Sequence, residues 1–197
     1  MTQRKAQIKR NTTETKIAIV LNIDGSGERE INSPFGFLNH MLDLFTKHGL
    51  FDLTVKATGD TYIDEHHIVE DIGIVLGESF AKALGDKKGI SRYGFFILPM
   101  DEVVATVAVD FSGRYAFNFR CIFSREKVGD LSTELVYDFW DAFAQNAKIN
   151  LFIKVENGRN THHQMEAIFK ATGRAIRMAC DIDKREKNQI PSTKGKL

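Results

Sequence analysis

A short word of unusual chemistry occurs twice in the chain. Residues 64–71 read D-E-H-H-I-V-E-D, and residues 160–167 read N-T-H-H-Q-M-E-A. His66, His67 and Glu70 return 96 residues later as His162, His163 and Glu166, and these words hold four of the six histidines. The surrounding sequence repeats too, at low identity. Gly25 matches Gly113, Glu14 matches Glu102, Phe45 matches Phe143, Val55 matches Ile153, Gly77 matches Gly173 and Ala83 matches Ala179. The offset moves from 88 to 98 and back to 96, as short loop insertions would make it. A chain that repeats its pattern in this way has to fold as two similar units, which limits the architecture more than any other feature.

Hydrophobic periodicity fills in those units. Residues 16–24 form an apolar strand pattern closed by Gly25-Ser26-Gly27. Leu38, Met41, Leu42 and Phe45 have helical spacing within 37–48, residues 51–58 alternate as a half-buried strand, and helical spacing returns from His66 to Leu84. The order then restarts, with a strand at 103–111, a helix at 133–146, a strand at 149–155 and a helix at 162–180. The reading is two similar α/β halves, each a sheet with helices packed on one face. It makes one domain over 1–197, with pseudo-repeats at about 10–90 and 91–190 and a polar tail at 190–197.

Composition enters mainly by exclusion. A net charge of +1, with 43% apolar and 27% charged residues, describes an ordinary globular chain and gives no basis for binding nucleic acid or an anionic membrane. The basic start lacks an apolar stretch behind it, and the run Ile17–Ile23 is interrupted by Asn22 and too short to span a bilayer. Cys121 and Cys180 form no C-x-x-C pattern and are expected to be free thiols in a cytoplasmic protein.

The repeated word is suited to holding a metal. On a helix, residues three or four apart share a face, so a histidine and the following glutamate converge. Adjacent residues point about 100° apart, so His66 and His67 cannot easily grip one ion, nor can His162 and His163. Each pair is therefore expected to serve two metals, and each metal to draw ligands from both halves. The offset of 98 matches His40 with Asp138. The candidate donors are then His40, His66, His67 and Glu70 against Asp138, His162, His163 and Glu166. Three protein ligands would leave a catalytic zinc open, while imidazole and carboxylate without cysteine suit manganese or iron equally. The plainer alternative is a pair of helix starts capped by His and Glu with no metal. Arg92 within Gly89–Gly94, Arg114 after Ser112-Gly113, Lys170, and Ser192-Thr193-Lys194-Gly195 place cations or hydroxyls near turns, as phosphate recognition requires.

The words F-L-N-H-M-L, A-T-G-D, D-E-H-H-I-V-E-D, K-G-I-S-R-Y-G, P-M-D-E, S-G-R, N-T-H-H-Q-M-E-A-I-F-K and P-S-T-K-G, in this order, resemble imidazoleglycerol-phosphate dehydratases. The resemblance runs from about Arg10 to Lys196. It implies a ribosomal-protein-S5-domain-2-like α+β fold of two duplicated α/β sandwich halves, each a four-stranded sheet with helices on one face, and the conversion of imidazole glycerol phosphate to imidazole acetol phosphate in histidine biosynthesis. It also implies two Mn2+ per active site, held by the eight donors above, and a homo-oligomer of 24 subunits with sites at subunit contacts. Glu14, in N-T-T-E-T, matches the catalytic glutamate, and Glu166 is a second catalytic carboxylate. Substrate contacts fall to Glu14, His40, Arg92, Arg114, Lys170, Ser192, Thr193 and Lys194, making 190–197 a substrate-binding tail. In the implied chemistry, metal on the imidazole nitrogens stabilises an imidazolate, which expels the adjacent hydroxyl through a diazafulvene-like intermediate. The chain departs from the family at Asp138 and Tyr137, where histidine and glutamate are frequent. Two rivals stay open at this level. One is a metal-dependent hydrolase of a phosphorylated small molecule, and the other is an assembly protein whose ions only join subunits.

Overall fold

A computed structural model describes residues 4–156, 158–186 and 188–197; Met1, Thr2 and Gln3 of the basic start lie outside them, as do Asn157 and Lys187. The first half runs β1 (Lys5–Asn11), β2 (Thr15–Asn22), β3 (Arg29–Asn32), α1 (Gly36–Gly49), β4 (Asp52–Gly59) and α2 (His66–Leu84). The second runs β5 (Tyr93–Met100), β6 (Val103–Asp110), β7 (Ala116–Arg120), β8 (Lys127–Val128), β9 (Leu131–Ser132), α3 (Leu135–Ala147), β10 (Asn150–Glu156) and α4 (Thr161–Cys180). Removing the small β8–β9 hairpin leaves the same element order in both halves. That hairpin is the insertion that moves the offset from 88, at β7, to 98, at α3.

The sheets repeat as well. Their strand orders are β1-β2-β4-β3 and β5-β6-β10-β7. In each, the last pair is parallel and the others antiparallel. The inner strands alternate, burying Ile17, Ile19 and Leu21 on β2 and Leu53, Val55 and Ala57 on β4, with Ala105, Val107 and Val109 on β6 and Leu151 and Ile153 on β10. This two-residue period turns one face of each sheet to the helices and the other outward.

The helices of the two halves meet between the sheets. α2 packs on β1 and β2 and against α3, while α4 packs on β5 and β6 and against α1. The two cross-half helix pairs are thus equivalent, and glycine sets how closely they approach. A Cβ at Gly77 would sit 2.5 Å from the Phe143 carbonyl oxygen, and one at Gly173 would crowd the matching Phe45 carbonyl. The four residues are the two pairs that the sequence offset matches. Aromatic rings fill the layer, with Trp140 centred 5.7 Å from Phe45 and 4.8 Å from Phe169. These contacts bury side chains from both halves in one core. Cys121 and Cys180 are separate thiols, and burial raises both above the usual thiol pKa.

Candidate metal centre and its surroundings

The α1–α4 contact brings His40 to the second repeated word. His40 Nε2 lies 2.7 Å from Glu166 Oε1, and His162 Nε2, one turn before Glu166, lies 3.2 Å from the same oxygen. Donor atoms of the three residues all fall within 4.8 Å of one another. The other carboxylate oxygen accepts from Lys170 Nζ at 2.7 Å, at the i+4 position. Burial works against the Glu166 charge, but the hydrogen bonds from Lys170, His40 and His162 outweigh it and hold the carboxyl at about 2. Two imidazoles and an ionised carboxylate converging in this way fit a borderline divalent ion. The side chains of His40, His66 and His162 are 44%, 43% and 41% exposed, so these histidines are not closed over within one chain.

Local sequence explains how the helices are aimed. Asn160 caps α4, its Oδ1 accepting from the His162 N–H at 3.0 Å. The start of α1 has no side-chain cap of its own. Asp130, in the turn of the β8–β9 hairpin, accepts instead from the Gly36 and Phe37 N–H groups at 2.6 and 2.9 Å. The same hairpin reaches α2, where Lys127 pairs with Glu65, the residue before His66.

The equivalent set on α2 and α3 is looser. His66 Nε2 lies 3.7 Å from Glu70 Oε2. Asp138 is half-buried in the first turn of α3, and its neighbour Phe139 has its carbonyl against Gly73, three residues beyond Glu70. Among the described residues, His66, Glu70 and Asp138 do not form a cluster as tight as that around Glu166. Two chemical differences accompany this. The Asp138 side chain is shorter than that of His40, and the i+4 position after Glu70 is Ile74, which supplies no cation.

His67 and His163 point elsewhere. Within each pair the neighbouring rings are nearly perpendicular, at 88° and 85°, with centroids about 6 Å apart at 6.2 and 6.1 Å. His67 Nδ1 lies 3.0 Å from Asp60 Oδ2 and 3.9 Å from Glu14 Oε2. His163 Nδ1 lies 3.0 Å from Glu102 Oε2 and 3.6 Å from Asp101. The hydrogen bond with Asp60 raises the pKa of His67. The bond with His163, then backbone N–H groups, hold the Glu102 carboxyl at about 2. Sequence reasoning missed Asp60, Glu102 and Asp130 as site residues. A signal existed for one of them, because Glu102 is the repeat partner of Glu14.

The cationic candidates divide into two places. Arg92 donates to both oxygens of Asp110, at 2.7 and 3.1 Å, and to the Pro191 carbonyl at 2.9 Å. The tail returns beside the Ser112-Gly113-Arg114 turn, where a Cβ at Gly113 would meet Leu197. Arg92, the Arg114 turn and Ser192, Thr193 and Lys194 therefore share one region, with Arg114, Thr193 and Lys194 exposed. Lys170 belongs instead to the histidine cluster, with its Nζ also 3.3 Å from Met100 Sδ.

These features define a class: a duplicated α+β protein with pseudo-symmetric imidazole–carboxylate sites suited to divalent metal. Comparison with known proteins gives the family. Residues 33–176 match the imidazoleglycerol-phosphate dehydratase family. The chain is 52% identical over 194 residues to the imidazoleglycerol-phosphate dehydratase of Hydrogenovibrio crunogenus, covering 98% of this chain and 100% of that one. The Cupriavidus taiwanensis dehydratase is 51% identical over the same length and coverage. The crystal structure of the Staphylococcus aureus dehydratase superposes with a TM-score of 0.83 at 42% identity, over 91% of this chain and 99% of that chain. That of Pyrococcus furiosus gives 0.82 at 32% identity, over 96% and 100%. The chain belongs to the imidazoleglycerol-phosphate dehydratase family, and it is a hydro-lyase.

Proposed function

We propose that the chain removes water from imidazole glycerol phosphate to give imidazole acetol phosphate, in L-histidine biosynthesis, with two Mn2+ per active site. The observation that carries the reading is the convergence of His40, His162 and Glu166 from opposite halves. His40, His162 and Glu166 would hold one ion, and Asp138, His66 and Glu70 the other. His67 and His163 face away from these sets and would each serve a site on a neighbouring copy. A bound divalent ion supplies Lewis acidity to the imidazole nitrogens of the substrate. Glu14 is exposed beside His67 and takes up the proton of the glycerol chain. Glu166 carries the role of second catalytic carboxylate, held in place by Lys170. Arg92, Arg114, Lys170, Ser192, Thr193 and Lys194 bind the phosphorylated end of the substrate. Elimination followed by tautomerisation is redox neutral, so no redox cofactor is required.

The active unit is a homo-oligomer of 24 copies in the cytoplasm. Exposed Tyr62 and Ile63 precede His66, and exposed Ile122 lies beside Gln164 of α4, which gives each metal edge an apolar rim for a second copy. No helix among the described residues is long and apolar enough to cross a membrane. Purified protein loaded with Mn2+ should form the ketone from imidazole glycerol phosphate without freeing phosphate. Release of inorganic phosphate with no ketone would instead make it a hydrolase.

A further inference from the structure

The duplicated carboxylates Glu14 and Glu102 hold equivalent places. Glu14 lies in the turn joining β1 to β2, and Glu102 in the turn joining β5 to β6. Their surroundings differ. Glu102 is fixed at both oxygens, since Oε1 accepts from the Asn160 N–H at 2.8 Å and Oε2 lies 3.0 Å from His163 Nδ1. Among the described residues, Glu14 has no such partner. Its carboxylate is 3.9 Å from His67 Nδ1, because Asp60 already occupies that nitrogen at 3.0 Å. Asp60 stands at the end of β4, and the offset of 98 for that strand places Gly158 at the matching position. Glycine offers no carboxylate, so in the second half the turn glutamate is left to orient the histidine.

An ionised carboxylate only accepts hydrogen bonds, so each Nδ1 has to donate. A neutral imidazole that donates from Nδ1 presents a lone pair at Nε2, the state a metal requires, and outer carboxylates of this kind commonly fix ligating histidines. Asp60 is strongly directed to this role. Its Oδ1 is buried with no hydrogen-bond partner among the described residues, so the Oδ2 contact with His67 is the side chain's hydrogen bond there.

We infer that Glu102 and Asp60 are positioning residues, which hold His163 and His67 in the tautomer that offers Nε2 to a metal, and that Glu14 is thereby left as the one free member of its duplicated pair. The inference deepens the proposed function and rests on its reading of His67 and His163 as metal ligands. It gives a reason for a pseudo-symmetric site to carry one available base rather than two. The need to orient a histidine is met by Asp60 in one half and by Glu102 in the other.

The test uses the full-length assembled protein and measures Mn2+ affinity by equilibrium dialysis, together with the absorption spectrum of the Co2+-loaded form. Glu102→Gln keeps shape and volume. Its amide must either leave the Asn160 N–H without an acceptor or turn NH2 towards His163, which forces the proton onto Nε2. Mn2+ binding should weaken about 10- to 100-fold, the usual effect of losing such an outer partner. The Co2+ bands should change for the affected ion. Asp60→Ala, which removes the acceptor where an asparagine could keep its oxygen on His67 Nδ1, should weaken Mn2+ binding likewise, whereas Glu14→Gln should keep wild-type affinity and spectrum. A role in folding alone would lower the melting temperature of the chelated protein while leaving the Co2+ spectrum per bound ion unaltered. That result for Glu102→Gln, or equal losses in Glu14→Gln and Glu102→Gln, would overturn the inference. The wild-type arm separates the two levels. If wild type binds neither ion, the metal reading itself fails; if wild type binds and Glu102→Gln matches it, only the positioning role fails.

Discussion

Glu14 and Asp52 show how differently two carboxylates work in this chain. Glu14 is held by its backbone, its N–H donating to Thr12 Oγ1 at 3.1 Å and its carbonyl accepting from the Asp60 N–H at 3.1 Å, while its carboxylate stays without a tight partner. A proton carrier needs that arrangement, a fixed base on a free head. Glu14→Gln should therefore keep metal content and assembly but lower turnover about 10²- to 10⁴-fold, the range for removing a general base; loss of metal in this variant would remove it from that role. Asp52 is instead structural. Burial opposes its charge, and the Ser26 N–H, the Asn22 amide and the Glu28 N–H outweigh that, lowering its pKa. A depressed carboxyl contributes stability that is complete above its unfolded value of about 3.9 and is lost as pH falls through the lower folded value. Asp52→Asn should melt below wild type at pH 7, and thermal melts taken at falling pH should find the two converging below pH of about 3.9. A gap that stays constant down to acid would show that the charge contributes nothing.

At the scale of elements, the β8–β9 hairpin is the one part of the second half with no counterpart in the first. It sits where the first half needs it. Asp130 caps α1 from outside, and Lys127 pairs with Glu65 at the start of α2. Both helices carry candidate ligands, His40 on one and His66, His67 and Glu70 on the other. A carboxylate at a helix start satisfies free N–H groups and complements the helix dipole. Asp130→Ala should cost about 1 kcal/mol of stability by denaturant titration. It should also weaken metal binding through His40, which dialysis against Mn2+ would detect; unchanged metal affinity would limit the hairpin to stability. The elements also explain what the sequence revealed. All four helices and the inner strands β2, β4, β6 and β10 were legible within two residues of their observed ends. They pack on other layers and carry a clean apolar period. The strands that periodicity missed are the sheet edges β1, β3, β5 and β7 and the two-residue strands β8 and β9. β1 carries Lys5, Gln7, Lys9 and Arg10, β3 has four residues, and β5 contains Gly94 and Pro99. The H-H-x-x-E words and the His40–Asp138 match were readable because helical spacing is local. Asp60 and Asp130 were not, because they act across about 7 and 94 residues through turns that no periodicity encodes.

For the whole molecule, the pseudo-twofold arrangement leaves a chemical requirement that one chain does not meet. The α1–α4 pair gathers three donors around Glu166, while His67 and His163 turn their rings nearly perpendicular to their neighbours. Nδ1 of each is engaged by Asp60 or Glu102, which leaves Nε2 for a further ligand contact. In the proposed assembly each ion then joins donors of two copies, and its binding free energy becomes part of the association free energy. Exposed Tyr62, Ile63 and Ile122 beside the histidines add apolar area to the same contact. Removing the metal should therefore shift the mass distribution, not just stop turnover. Treatment with a chelator should convert the proposed 24-subunit species to smaller ones in size-exclusion chromatography with light scattering, and added Mn2+ should restore it. His67→Ala and His163→Ala together should give the smaller species even with Mn2+ present. An assembly of undiminished mass after complete metal removal, verified by elemental analysis, would mean that the apolar contacts suffice and that the ions serve chemistry alone.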